Sequence, residues 1–320
     1  MRLFNTRSAI NSFKSSLTKL PFSLKPQFYC LSNKTVVTKE RRVDPFGGEK
    51  EVQKHPPANP ERLKNKFALI TGGSNGVGKE TSQLFADSGI EGLTITDIDE
   101  KKGNELCEKI NSERKKKIAY FVKADISNED QVKRLFTQHM QHHGRLNILF
   151  NNAGIMMGED GSPQETEMDV WKKTMDVNAT SVFLCSKYGI PEILKSKGGS
   201  IINVASIVAL VGSANAQIAY TASKGAVLAM TREMGIVYAR DGIRINAVCP
   251  GPLYTELLKY LLDTDEKLDR RLVHLPNGRF GHPKEIAQAV AFLGSDESSL
   301  VNASQFVVDG GLTSAYLTPL

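Results

Sequence analysis

The chain has 320 residues, with 41 Lys and Arg against 35 Asp and Glu, a formal net charge of +6 and a composition ordinary for a globular protein. That length suits one large core or two small ones, and no apolar run approaches the roughly 18 residues of a membrane span; the best, 201 to 211, is broken by Asn203 and Ser206. The positive excess is confined to residues 1 to 64, which hold 13 basic against 5 acidic side chains, while 65 to 320 hold 28 against 30, so a basic groove for nucleic acid is unsupported.

Residues 1–39 contain seven basic and no acidic side chains, many Ser and Thr, and Leu or Phe at near-helical spacing. This is the make-up of a mitochondrial transit peptide, with a disordered tail on a cytoplasmic protein as the alternative. Residues 40–65, including HPPANPERL, read as a linker. Cys30, Cys107, Cys185 and Cys249 show no paired spacing, so neither a zinc knuckle nor a disulfide framework is expected.

From residue 67, strand-like runs at 67–71, 92–97, 118–124, 146–151, 200–205, 243–249 and 304–308 alternate with helical patterns near 77–88, 99–111, 128–143, 167–188, 220–240 and 283–293. Strands apolar on both faces and alternating with helices imply an α/β fold. We read 66–320 as a single doubly wound, Rossmann-type domain: a parallel sheet of about seven strands with helices on both faces. His139, His142 and His143 end the third helical pattern just before Gly144. They could share a face as metal ligands, but imidazolium at a helix C-terminus explains them better, and no metal is expected.

Ligands of such a sheet bind at the carboxyl ends of its strands. The first ends in TGGSNGVGKET, residues 71–81. Gly73 through Lys79 fits the front of a triphosphatase loop, but that loop needs a hydroxyl directly after the Lys to ligate magnesium; here Glu80 follows, and Thr81 is one place late. A dinucleotide turn asks only for a strand, permissive glycines and a helix N-terminus facing a pyrophosphate. Gly72, Ser74, Asn75, Gly76, Val77 and Gly78 are its candidates. Asp97 closes the second strand nineteen residues beyond Gly78, where a carboxylate meets an adenosine ribose 2′-hydroxyl. Asp125 and Ile126 follow the third strand, toward the adenine; Asn152, Ala153 and Gly154 follow the fourth, in NNAG. Ser206 follows the fifth, and CPGPLYT ends the sixth with Pro250, Gly251, Leu253 and Thr255. Alone, Asp97 and Asp125 would more often be helix N-caps; their place in a full set of strand ends favours ligands.

YTASK, residues 220–224, supplies chemistry. Residues four apart share a helix face, so Lys224 can hold its ammonium beneath the Tyr220 hydroxyl. A phenol of unperturbed pKa near 10 is too weak an acid for work at neutral pH, and a fixed cation would lower that value.

With these motifs in order, 66–320 resembles the short-chain dehydrogenase/reductase family. T-G-x-x-x-G-x-G is met by Thr71, Gly72, Gly76 and Gly78, N-N-A-G by 151–154, the active-site Asn by Asn178, the Ser by Ser206, and Tyr-x-x-x-Lys by Tyr220 and Lys224; Pro250, Gly251 and Thr255 complete the set. The resemblance implies that Ser206 and Tyr220 contact the substrate oxygen, that Lys224 also binds the nicotinamide ribose, and that Asn178 holds a water linking Lys224 to solvent. It implies an NAD(P)-dependent interconversion of a secondary alcohol and a ketone, with 3-oxoacyl thioester reduction the leading substrate and sugars, polyols or steroids the alternatives. A non-catalytic dinucleotide sensor is the reading from another class. Asp97, and Asn75 where NADP-preferring relatives usually carry a cation, favour NAD, with NADP second. A homo-oligomer, tetramer or dimer, is implied. One departure stands out: the Ser206 to Tyr220 interval is a residue longer than is usual, so that loop does not identify the substrate.

Between Pro250 and Pro283, Leu253, Leu257, Leu258, Leu261 and Leu262 make an apolar stripe suited to an uncharged or acyl substrate, or to packing on the protein itself. Residues 256–271 hold four basic and five acidic groups, so no cationic dock for an acyl carrier stands out.

Overall fold

A computed structural model describes residues 57–213, 215–254, 262 and 264–316. The leader expected at 1–39, most of the linker, Thr255 and the lid leucines 257, 258 and 261 lie outside the described residues.

Seven strands, β1 (Phe67–Thr71), β2 (Gly92–Asp97), β3 (Ala119–Lys123), β4 (Ile148–Asn151), β5 (Gly199–Val204), β6 (Ile243–Pro250) and β7 (Gln305–Val308), form one sheet in the order β3-β2-β1-β4-β5-β6-β7. Every pairing is parallel. The direction of winding reverses between β1 and β4, and such a switch point opens a crevice beyond the strand ends.

Eight α-helices occur among the described residues: α1 (Gly76–Asp87), α2 (Glu100–Arg114), α3 (Glu129–His143), α4 (Met168–Met175), α5 (Ser181–Lys195), α6 (Ile218–Val237), α7 (Asp265–Leu272) and α8 (Pro283–Gly294). The strands are apolar on both faces because each face is covered. Ala68 and Ile70 of β1 pack with Phe85, Ile110 and Val290 of α1, α2 and α8. Leu69 points the other way, toward Leu135 of α3 and Leu184 of α5, as the two-residue period of a strand requires. Each fully buried Leu, Ile, Val or Phe side chain contributes about 1.5–3 kcal/mol.

Three features differ from the sequence reading. The helix expected at 167–188 is α4, a π-helical turn at Asp176–Thr180, and α5, which continues through Pro191 to Lys195. Helix α7 was not anticipated: its sequence DEKLDRRL buries one apolar residue, Leu268, so it has little periodicity to read. Ahead of β1, Leu63 is fully buried among Phe85, Ile90 and Leu93, and its N–H donates to the Ser88 carbonyl at 2.8 Å, so this end of the stretch read as linker is packed against the sheet.

The three histidines end α3, with Gly144 at φ 68° as the left-handed cap. His139 and His143 are not the solvated imidazolium groups expected, whereas His142 is exposed. Burial pulls His139 down to about 3 and His143 to about 4, so both are neutral near pH 7. Among the described residues no cluster of three His, Cys, Asp or Glu could hold a metal, and no helix is long and apolar enough to cross a membrane.

Candidate active site

The glycine turn is built by close backbone approach. Gly72 and Gly76 have φ of +60° and +51°, a region that disfavours side chains. A Cβ on Gly72 would lie 2.8 Å from the Ala153 Cα, and one on Gly78 would run into the Gly72 carbonyl. Asn152 clamps this turn: its Nδ2 donates to the Thr71 and Gly72 carbonyls, both at 2.9 Å. The Thr71 hydroxyl oxygen accepts the N–H groups of Asn152 and Ala153 at 3.0 and 3.1 Å. Asn152 is thus committed to the scaffold. Asn75 caps α1, accepting from the Gly76 N–H at 2.9 Å. The next first-turn N–H groups, from Val77 and Gly78, have no acceptor within the helix and present its positive end. Lys79 is exposed on that first turn, consistent with a helix residue rather than a phosphate ligand.

Asp97 stands beside this turn. Its Oδ2 accepts from the Ser74 N–H at 3.2 Å and the Ser74 hydroxyl at 2.5 Å. Oδ1 accepts from the Ile98 and Asp99 N–H groups at 2.8 and 3.2 Å. Neither Asp97 nor Asp125 is an N-cap: Asp99 caps α2 and Asn128 caps α3. The Ser127 hydroxyl, bonded at 2.6 Å, holds the Asp125 carboxyl below its usual range. Ile126 is buried in the core with Leu135, so only its backbone can face a ligand. Pro250 ends β6, and the Gly251 N–H donates to Val308 at 3.0 Å. Leu253 pairs with Gly281 in a short bridge that closes the base of the 255–280 excursion. Glycines no side chain could replace, beside a helix N-terminus and a carboxylate, fit a dinucleotide.

On the β5 side, Ser206 follows the strand and caps a short 3₁₀ turn, its Oγ accepting from the Val208 N–H at 3.3 Å. It also lies near enough to the Tyr220 phenol to favour its ionised form. Lys224, one turn further along α6 and 3% exposed, donates to the Val204 carbonyl at 2.8 Å. Its Nζ lies 5.7 Å from the centre of the Tyr220 ring.

The electrostatics differ from expectation. Burial raises Tyr220 above the usual phenol value, and the nearby Ser206 hydroxyl pulls less strongly the other way. Burial also brings Lys224 down to about 8. The amine is anchored to β5 rather than to the hydroxyl, so in the free protein it does not produce the lowered phenol that the four-residue spacing suggested. The Cys249 thiol lies close enough to interact with Lys224 but is pushed up to about 11 by burial, which leaves it inert.

Asn178 occupies the π turn, fully buried. Its Oδ1 accepts from the Ile155 N–H at 2.7 Å, and its Nδ2 donates to the Ile155 carbonyl at 2.9 Å and the Ser223 hydroxyl at 3.0 Å. Ser223 passes its own proton to the Tyr220 carbonyl at 2.7 Å. A Cβ on Gly154 would lie 3.2 Å from Asn178 Oδ1 and 3.3 Å from Lys224 Nζ, which explains the glycine there. The structure thus gathers Asn178, Ser206, Tyr220 and Lys224 into one site and adds Ile155 and Ser223, which sequence reasoning missed. Ser223 was visible inside YTASK; the part played by Ile155 is a backbone one and leaves no mark on residue type.

Fold and site together define a dinucleotide-binding α/β oxidoreductase. Comparison with known proteins takes this further. A family model described as enoyl-(acyl carrier protein) reductase matches residues 72–313. The chain is 38% identical over 253 residues to a cyclohexanol dehydrogenase of Acinetobacter sp. (strain SE19), covering 79% of this chain and 97% of that protein. It is 35% identical over 255 residues to the meso-2,3-butanediol dehydrogenase of Serratia marcescens, covering 79% and 97%. To the 3-oxoacyl-[acyl-carrier-protein] reductase of Thermotoga maritima it is 36% identical over 253 residues, covering 78% and 99%. The crystal structure of gox2181 superposes with a TM-score of 0.76 at 30% identity, covering 80% of this chain and 99% of that one. The chain belongs to the short-chain dehydrogenase/reductase family, whose members act on CH–OH groups with NAD or NADP.

Proposed function

We propose that the protein is an NAD-preferring dehydrogenase that interconverts small uncharged secondary alcohols and their ketones, with Tyr220 moving the proton. The observation that carries this is the placement of the Tyr220 phenol near enough to Ser206 for that hydroxyl to lower its proton affinity, with the Lys224 amine buried one turn away. A bound nicotinamide dinucleotide supplies or accepts the hydride. Ser206 holds the substrate oxygen in line with the phenol. Kept protonated by burial, Tyr220 is in the form that donates to a carbonyl oxygen. Alcohol oxidation requires the phenolate, and positive charge nearby favours that form; Lys224 contributes such charge below about pH 8. Lys224 is also our candidate for the ribose hydroxyls. The Asn178 side-chain amide is committed to Ile155 and Ser223, so we assign a water relay past it to the backbone of the π turn, where helical bonding is already loosened.

Cofactor choice rests on Asp97. A 2′-phosphate charge about 4 Å away would be repelled by about 1 kcal/mol in bulk water and about 4 kcal/mol near a protein surface. A ribose 2′-hydroxyl can instead donate to Oδ2, and the Ser74 hydroxyl, free to rotate, is the donor that gives way. For the substrate, the mixed charge of 256–271 offers no cationic dock for an acidic carrier. The 3-oxoacyl thioester therefore stands second, supported by likeness to the Thermotoga reductase.

The test compares rates of cyclohexanol and 2,3-butanediol oxidation with NAD and with NADP, for wild type and Asp97→Ser. We expect wild type to favour NAD by at least about tenfold, equivalent to about 1.4 kcal/mol, and the variant to narrow the gap. A wild type that turns over faster with NADP refutes the cofactor assignment.

A further inference from the structure

We propose that Asp160 is a positioning residue for Tyr220: a carboxylate from the loop after β4 that caps the helix carrying the phenol and so fixes where the phenol stands. This rests on the proton-transfer role proposed for Tyr220.

Helix α6 begins at Ile218, and its N-cap residue, Gln217, makes no side-chain capping bond. The caps come from elsewhere in the chain. Asp160 Oδ1 accepts from the Ala219 N–H at 3.0 Å, and Oδ2 accepts from the Tyr220 N–H at 2.8 Å. The next residue, Gly161, uses its carbonyl to accept the Ile218 N–H at 3.1 Å. Three consecutive first-turn donors are therefore satisfied by one dipeptide, and one of them belongs to Tyr220 itself.

Asp160 is 8% exposed. A carboxylate removed from water needs charge-assisted bonds in return. The two N–H groups and the positive end of α6 provide them, and the Thr166 hydroxyl approaches Oδ1 at 3.4 Å. The segment leading into the helix adds little anchorage, because 211–213, 215 and 216 are exposed. The loop that carries Asp160 begins at Gly154 and Ile155, where Asn178 grips it through both ends of its amide. One loop thus holds Asn178 at its start and Tyr220 at its far end, while Ser206 is placed independently by β5. Asp160 sets the separation of phenol and serine. It acts through the backbone: burial and Ser206 are what govern the phenol's proton affinity.

The experiment uses full-length wild type, Asp160→Ala and Asp160→Asn. Steady-state cyclohexanol oxidation at saturating NAD is measured alongside NAD affinity by calorimetry and amide hydrogen exchange at Tyr220. Misplacement by an ångström can cost about a hundredfold in rate. We expect kcat of Asp160→Ala to fall by at least about tenfold, NAD affinity to change by less than about threefold, and exchange at Tyr220 to quicken. Asp160→Asn, which keeps one acceptor, should fall between. A kcat within about twofold of wild type overturns the proposal, as does a loss of NAD binding in step with kcat, which would mark a general structural role. If Asp160→Ala does not fold, Asp160→Asn decides on the same criteria. A wild type without turnover on any alcohol overturns this proposal and the function beneath it together; an active wild type with an unimpaired variant overturns this one alone.

Discussion

Lys224 shows at the residue scale how function costs stability. Its ammonium is almost fully buried with one carbonyl partner at 2.8 Å, and burial lowers it from 10.5 to about 8. The unfolded chain holds that proton more tightly, so below pH 8 the folded state carries the full penalty of a buried charge. The penalty fades as pH rises from about 8 to 10.5. Lys224→Met, similar in length and uncharged, should therefore raise the thermal midpoint at pH 7, with a stability gain on the order of 1–3 kcal/mol, while turnover collapses. The gain should shrink when melting is repeated near pH 10. A variant less stable than wild type at pH 7 would show that the bond to Val204 outweighs the buried charge. The position of Lys224 on the helix was legible in the spacing of YTASK. Its electrostatics were not, because the spacing says nothing about a β5 carbonyl within reach or about how dry the site is.

Among the elements, α3 shows the difference between recognising a helix end and knowing its surroundings. Gly144 marked the end correctly, yet His139 and His143 at that end lie against β2 rather than in solvent. His139 Nε2 meets the Arg145 carbonyl at 2.9 Å and must carry the proton; Nδ1 then accepts from the Thr94 hydroxyl at 2.8 Å. His143 packs against Phe67 and Tyr120, its Nε2 buried without a partner. Both imidazoles have folded values, about 3 and about 4, below the unfolded 6.5. Their contribution is complete above pH 6.5 and is lost as pH falls toward 4 and then 3, since the unfolded chain takes up protons that the folded one excludes. Urea midpoints should drop steeply from pH 6.5 to 4, and His143→Leu should flatten that fall. An unchanged slope in the variant would place the acid sensitivity elsewhere. The π turn around Asn178 was likewise hidden: DVNAT has ordinary helical composition, and only tertiary bonds to Ile155 and Ser223 reveal why the helix widens there.

For the whole molecule, the sequence made the sheet legible because parallel strands covered on both faces are short, apolar and separated by helices of clear period. Strand β2 fell where it was expected, and β6 within a residue. The glycine turn, Asp97, Ser206 and Tyr220 were legible for the same reason: the fold delivers strand ends and one helix start to a single crevice. What escaped was whatever depends on long-range contact. Asp160 sits in a loop without period and caps a helix 58 residues further along the chain, and nothing local marks it. Asn152 and Ile126 were read as ligands; the side chain of one clamps the turn and that of the other joins the core, which leaves their backbones to face a cofactor.

The central claim is that the Tyr220 hydroxyl transfers the proton while the cofactor is held by other groups, and Tyr220→Phe tests it most directly. Removing one oxygen leaves the glycine turn, Asp97 and Lys224 untouched. NAD affinity measured by calorimetry should stay within about threefold of wild type while cyclohexanol turnover falls by about 10²–10⁴. A phenylalanine variant that still turns over at near the wild-type rate would contradict the account.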